Sequence, residues 1–180
     1  MSLMLEPVDL DAWAAQKKDM FRGGETKRTG EIPTDDWVND RYQGHLGVCL
    51  EAAIEHLPAD ERPLYVEVGS WRPKNARDLY LKAVSDGDKP ERTSVQGLIV
   101  VTRRRVLGIE QYSGRLTRFD NPPFREGAIN LVTHLEKLHG PNGPNGIAIS
   151  FGKKEVEVDA STIEDVDRLF KVLCELTGSA

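Results

Sequence analysis

The chain has 180 residues, a formal net charge of −5, and 29% charged against 39% hydrophobic residues. That length fits one domain able to bury a core without covalent staples, and the acidic balance argues against wholesale nucleic-acid binding while leaving a local basic patch open. Two cysteines, Cys49 and Cys174, form no C-x-x-C pair, so the expectation is buried free thiols in a reducing, cytoplasmic setting and no disulfide framework.

The N-terminus shows no basic stretch followed by an apolar one, and no run is long enough to span a membrane, so neither a signal peptide nor a transmembrane segment is expected. Asp9 to Phe21 reads as a helix. Asp9 caps it, and Leu10, Trp13, Ala14 and Phe21 form a partial apolar stripe. Gly23-Gly24 ends it. Residues 23 to 36 hold little to bury and read as linker. Asp35-Asp36 before Trp37 reads as a solvated acidic cap. Residues 1–40 are therefore expected as an N-terminal helical arm and flexible linker, and 41–180 as a single α+β domain.

Gln43 to Leu57 is a helix by the spacing of Leu46, Cys49, Leu50, Ala53, Ile54 and Leu57. Leu64–Gly69 is a strand. Pro73 can open a helix through Val84, with Leu79, Tyr80, Ala83 and Val84 on its buried face. Ser85 to Pro90 is polar and the best candidate for an internal boundary. Gly97–Thr102 and Arg105–Glu110 are apolar strands joined through Thr102-Arg103-Arg104-Arg105, a turn that would splay the arginines outward. Arg115–Phe119 is a further strand. Glu126 to His139 reads as a helix with Ala128, Leu131, Val132, Leu135 and Leu138 on one face and His139 at its cation-favouring end. The doubled Pro-Asn-Gly of Pro141 to Gly146 reads as a connecting turn. Gly146–Phe151 and Glu155–Val158 make a hairpin about Gly152-Lys153-Lys154. Ser161-Thr162-Ile163-Glu164 is a capping-box pattern. It opens a helix over 162–177 whose stripe is Ile163, Val166, Leu169, Phe170, Leu173 and Leu176. Gly178 closes it.

These elements add up to an α+β protein, a mainly antiparallel sheet packed against amphipathic helices. The alternation of strand and helix keeps a partly parallel sheet as the competing architecture. No complete catalytic motif is present. His45 and His56 are too far apart to share a metal, and His134 and His139 are wrongly spaced for one helical face. Neither cysteine has an adjacent basic activator. No phosphate-cradling loop and no nucleophile elbow occurs. No metal and no cofactor is expected. Aromatics near the arginines are limited to Tyr112 and Phe119, so stacking recognition of single-stranded nucleic acid is not supported.

Two stretches resemble known families. Tyr65-Val66-Glu67-Val68-Gly69-Ser70-Trp71 resembles the first motif of class I S-adenosylmethionine-dependent methyltransferases, a strand ending in an acid and a glycine turn. That resemblance implies Glu67 and Gly69 as cofactor-binding positions. Gly97 to Ile109 resembles the hairpin of bacterial pleckstrin-homology-like and GRAM-type domains, a glycine-led apolar strand, a threonine, a basic turn and a second apolar strand. The closing hairpin and capped helix, Gly146 to Thr177, resemble that family's end, whereas the expected helix at 126–139 stands where the family continues its sheet. This resemblance implies a non-catalytic binding platform for phosphorylated lipid heads or protein segments. Arg103, Arg104, Arg105, Arg115 and Arg118 would be the anion or partner contacts, since guanidinium binds such groups bidentately. The same arginines also read as a solvated hairpin edge that discourages strand pairing.

The leading reading is thus a protein-interaction or acidic-ligand-binding domain contacting through its basic hairpin. A methyltransferase-like enzyme and a structural, immunity or accessory subunit acting through a partner protein stand beside it.

Overall fold

Leu98, Ile99, Val100 and Val101 are all fully buried, which requires a strand covered on both faces. The computed structural model describes residues 5–17, 44–74, 76–88, 95–110, 116–117, 126–140 and 143–179. Its helices are α1 (Leu10–Gln16), α2 (Gly44–His56), α3 (Ala76–Ser85) and α4 (Ile163–Thr177). Its strands are β1 (Pro63–Pro73), β2 (Val95–Thr102), β3 (Arg105–Glu110), β4 (Leu116–Thr117), β5 (Glu126–Ala128), β6 (Val132–Gly140), β7 (Gly143–Phe151) and β8 (Lys154–Ala160). They form one sheet in the order β4-β3-β2-β1-β8-β7-β6, with β5 beside β3. Every pairing among the described residues is antiparallel. The protein is α+β, as the strand spacing predicts, and the partly parallel alternative falls.

Side chains alternate across a strand, so β2 feeds two cores. Ile99 and Val101 join Tyr65, Trp71, Val106 and the β7–β8 valines and isoleucines under Val166, Leu169, Val172 and Leu173 of α4. Leu98 and Val100 join Val66, Leu107 and Ile109 under Trp13 and Ala14 of α1 and Cys49, Leu50 and Ala53 of α2. Asp9 caps α1, its carboxylate accepting from the Ala12 amide at 3.1 Å. Thr162 caps α4 by accepting from the Asp165 amide at 3.1 Å, one step along from the expected Ser161/Glu164 pair. Gly178 ends α4 at φ 68°, a left-handed conformation that glycine adopts without a Cβ penalty. Gly108 has a different use: a Cβ there would lie 2.6 Å from the Trp71 indole.

The structure corrects several expectations. Residues 126–139 are not a helix. They form β5, a single 3-10 turn at Ile129–Leu131, and β6. The register of β6 against β7 shifts between Val132 and His134, and this bulge adds one residue to the strand. Val132 and Leu135, three apart, therefore face the same core and imitate helical spacing. The dipole argument for His139 disappears with the helix.

β1 does not end at Gly69. It runs to Pro73, pairing with β2 as far as Trp71 and with β8 from Gly69. Pro73 sits at the strand end, where a missing donor is tolerated, and α3 starts later, at Ala76. A Cβ on Gly69 would collide with the Asp159 carbonyl and the Ile99 side chain. The glycine serves strand approach, and the turn that the methyltransferase motif needs is not there. β1 and β2 pair across the Ser85–Pro90 stretch, so no boundary falls there. The second Pro-Asn-Gly lies within β7, because Gly140 already pairs with Gly143. Val84, Ile54 and Ile163 are 52%, 49% and 42% exposed. Periodicity finds an apolar face but not how far its rim is covered.

With the helix at 126–139 replaced by strand, the sheet continues through this stretch, and the hairpin of β7 and β8 is followed by the capped α4.

Candidate functional site

The β2–β3 connection is short and held by a threonine and a carboxylate. β2 ends at Thr102 and β3 begins at Arg105. The fully buried Thr102 hydroxyl accepts from the Arg104 and Arg105 amides at 3.1 and 3.2 Å, an arrangement that fixes a tight turn. The hydroxyl donates to Glu61 Oε1 at 2.7 Å. Glu61 also receives Arg105 in bidentate fashion, Nε to Oε1 at 2.8 Å and Nη2 to Oε2 at 3.0 Å. Nη2 of Arg105 further donates to the His56 carbonyl at 3.0 Å. The Arg104 carbonyl takes the Ile129 amide at 2.8 Å. The turn is thus bonded on both sides, to the end of α2 and to the 3-10 turn before β6.

The three arginines do not act alike. Arg105 is half-buried and turned inward onto Glu61. Arg104 is exposed and reaches Asp60 Oδ2 at 2.6 Å. Arg103 is exposed and makes no ion pair with a described residue. Burial pushes the Glu61 carboxyl up, but the hydrogen bonds from Arg105 and Thr102 and the charges of Arg105 and Arg104 outweigh it and hold it below the ordinary carboxylate value. Asp60 is lowered by its hydrogen bond to Arg104. Arg115 and Arg118 lie outside the described residues. β4 between them pairs with Gly108 and Ile109, the end of β3 remote from the turn.

Two grooves flank the turn, and Arg103 and Arg104 line both. One, of 310 Å³, lies towards Leu5, Pro7, Asp60, Glu61 and Arg62. The other, of 540 Å³, runs between the turn and the C-terminal end of α4, over Ile129, Val132 and Leu176.

Glu67 occupies a second charged site. It is 2% exposed. It accepts from Trp13 Nε1 at 3.3 Å, pairs with Lys17 at 3.3 Å and with Arg168 at 3.1 Å. Arg168 also lies 5.1 Å from the Tyr65 ring centroid, a cation–π distance. Glu67 therefore ties α1 and α4 to β1. Sequence reasoning missed the roles of Glu61 and Glu67. A signal for Glu61 exists: antiparallel pairing of β1 with β2 sets Pro63 opposite Thr102, so the acids before β1 must lie beside the arginines after β2.

Cys49 is buried, and burial first of all pushes its thiol up to about 12, which makes it inert as a nucleophile. Cys174 is only half-buried, because it lies off the apolar stripe of α4. Among the described residues no group of three His, Cys, Asp or Glu side chains could hold a metal ion, and no helix is long and apolar enough to cross a membrane.

No protein-family model matches the chain, and no curated protein matches it. Among solved structures, the crystal structure of an N-terminally truncated linker-DH/PH fragment of p115-RhoGEF aligns with a TM-score of 0.48 and 9% identity, covering 95% of this chain and 42% of that one. This chain spans less than half the length of that fragment.

Proposed function

We propose that this protein is a non-catalytic interaction domain that contacts an acidic partner through Arg103 and Arg104. One observation carries the reading: the turn is held by Glu61, Thr102 and Arg105, and Arg103 and Arg104 are exposed upon it, Arg104 beside Asp60. A fixed backbone lowers the entropy lost when a partner docks. Arg105 is then a positioning residue, its charge consumed by Glu61.

The test uses fluorescently tagged poly-L-glutamate as the probe. Binding is expected to weaken with added salt and to be lost when Arg103 and Arg104 are both replaced by Gln. Binding that is indifferent to those substitutions would refute the proposal.

A further inference from the structure

The two grooves beside the turn share the same arginines but not the same charge. The smaller one carries Asp60 and Glu61 against its arginines. Among the described residues that line the larger one, none has a carboxylate, and Ile129, Val132 and Leu176 line it beside Asn130 and Thr177. Ile129 is buried there, and Val132 and Leu176 are half-buried. Guanidinium groups are weakly hydrated, and a low-dielectric wall strengthens their pull on an anion.

We infer that this larger groove receives an extended protein segment in which an acidic side chain stands next to an apolar one. The inference rests on the reading of the turn as the contact surface and adds the chemistry of the partner. Arg103 and Arg104 take the carboxylate. Ile129, Val132 and Leu176 take the apolar side chain. The open groove of 540 Å³ has more room than a lone inorganic anion fills. An anionic membrane is the poorer match, because the turn offers two guanidinium groups where lipid-binding patches cluster about four to eight basic residues.

Asp60 becomes a competitor in this scheme. It holds Arg104 at 2.6 Å on the surface, where such a pair is weak. An incoming carboxylate replaces Asp60 on Arg104.

The test is fluorescence anisotropy with a short labelled peptide containing Glu-Leu-Glu, beside versions with Leu changed to Ser or both Glu to Gln. Phosphatidylserine vesicles and inorganic phosphate are the remaining probes. The Leu-to-Ser peptide is expected to bind about tenfold more weakly, and the Gln peptide not at all. Asp60→Asn tightens the parent peptide severalfold. Leu176→Asn, with its fold checked by circular dichroism, brings the parent down to the level of the Ser peptide. Asn130→Asp, at an exposed lining position, weakens it without touching the core.

If the Leu and Ser peptides bind alike and neither Leu176→Asn nor Asn130→Asp matters, while the double Arg→Gln variant abolishes binding, the groove assignment fails and the turn surface stands. If the double variant changes nothing, both fail. Tighter binding to vesicles or to phosphate than to the peptide overturns the choice of a protein segment. So does a parent peptide that binds neither wild type nor Asp60→Asn.

Discussion

Glu61 and Glu67 are both buried, at 7% and 2% exposure, and both are answered by arginine. Their surroundings differ. The partners of Glu61 are themselves enclosed: the Thr102 residue is fully buried and the Arg105 side chain is 20% exposed. Two of the partners of Glu67, Lys17 and Arg168, are 29% and 53% exposed. One carboxylate freezes a turn. The other fastens two helices by groups that can fall back into water. A buried charge thus rigidifies its site only as far as its partners have nowhere else to go.

Breaking each pair should expose the difference. Glu61→Ala removes the carboxylate that Thr102 and Arg105 share, and should cost about 3 kcal/mol in urea unfolding. Amide exchange should rise at Arg104 and Arg105 and stay unchanged in α1. Glu67→Ala should cost about 1–2 kcal/mol, from the loss of the hydrogen bond from Trp13 Nε1 and of the Lys17 and Arg168 ion pairs. Its exchange pattern should be the reverse, with α1 loosened and the turn intact. Equal losses in both variants would contradict the contrast drawn here.

Acid sharpens the comparison further. The folded-state carboxyl of Glu61 lies below its unfolded value. It therefore contributes stability that is present above the unfolded value and is lost as pH falls through the folded one. Wild type should then converge on Glu61→Gln in urea midpoint as pH drops through the carboxylate range. A gap that widens in acid would give the opposite sign. The smallest effect belongs to Asp60→Asn. That pair is exposed on both sides, so the urea midpoint should not move measurably, although the affinity for an acidic peptide should rise.

The central strands, the two longest helices and the basic turn were legible because their signals are local. Apolar runs, caps and glycines act within a few residues. The sheet past Phe119 was harder. Val132 and Leu135 share a face through a bulge, and nothing in a one-dimensional spacing separates that from a helical step. Pro73 reads as a helix start because prolines favour that position, yet it also suits the end of a strand. The charged sites were hidden for another reason. Glu67 meets Arg168 and Trp13 across large stretches of chain, so only the three-dimensional fold joins them. Arg105 illustrates the limit. Its charge is plain in the sequence, but whether it serves a ligand or a neighbour depends on Glu61, which arrives from before another strand.

Finally, β1 has two neighbours of very different chain distance. Gly69 sits beside Gly97 on one edge and Ala160 on the other. The β1–β2–β3 meander can zip up early, since β2 reaches β3 across a tight turn and β1 reaches β2 across the stretch that carries α3, both far shorter than the path to β8. The β8 side must wait for a long loop to fold back, which costs more chain entropy and slows the search. Until then residues 69–73 offer bare peptide groups to any passing strand. Pairing with a stray strand during refolding is the hazard this topology builds in, and dilution should lessen it.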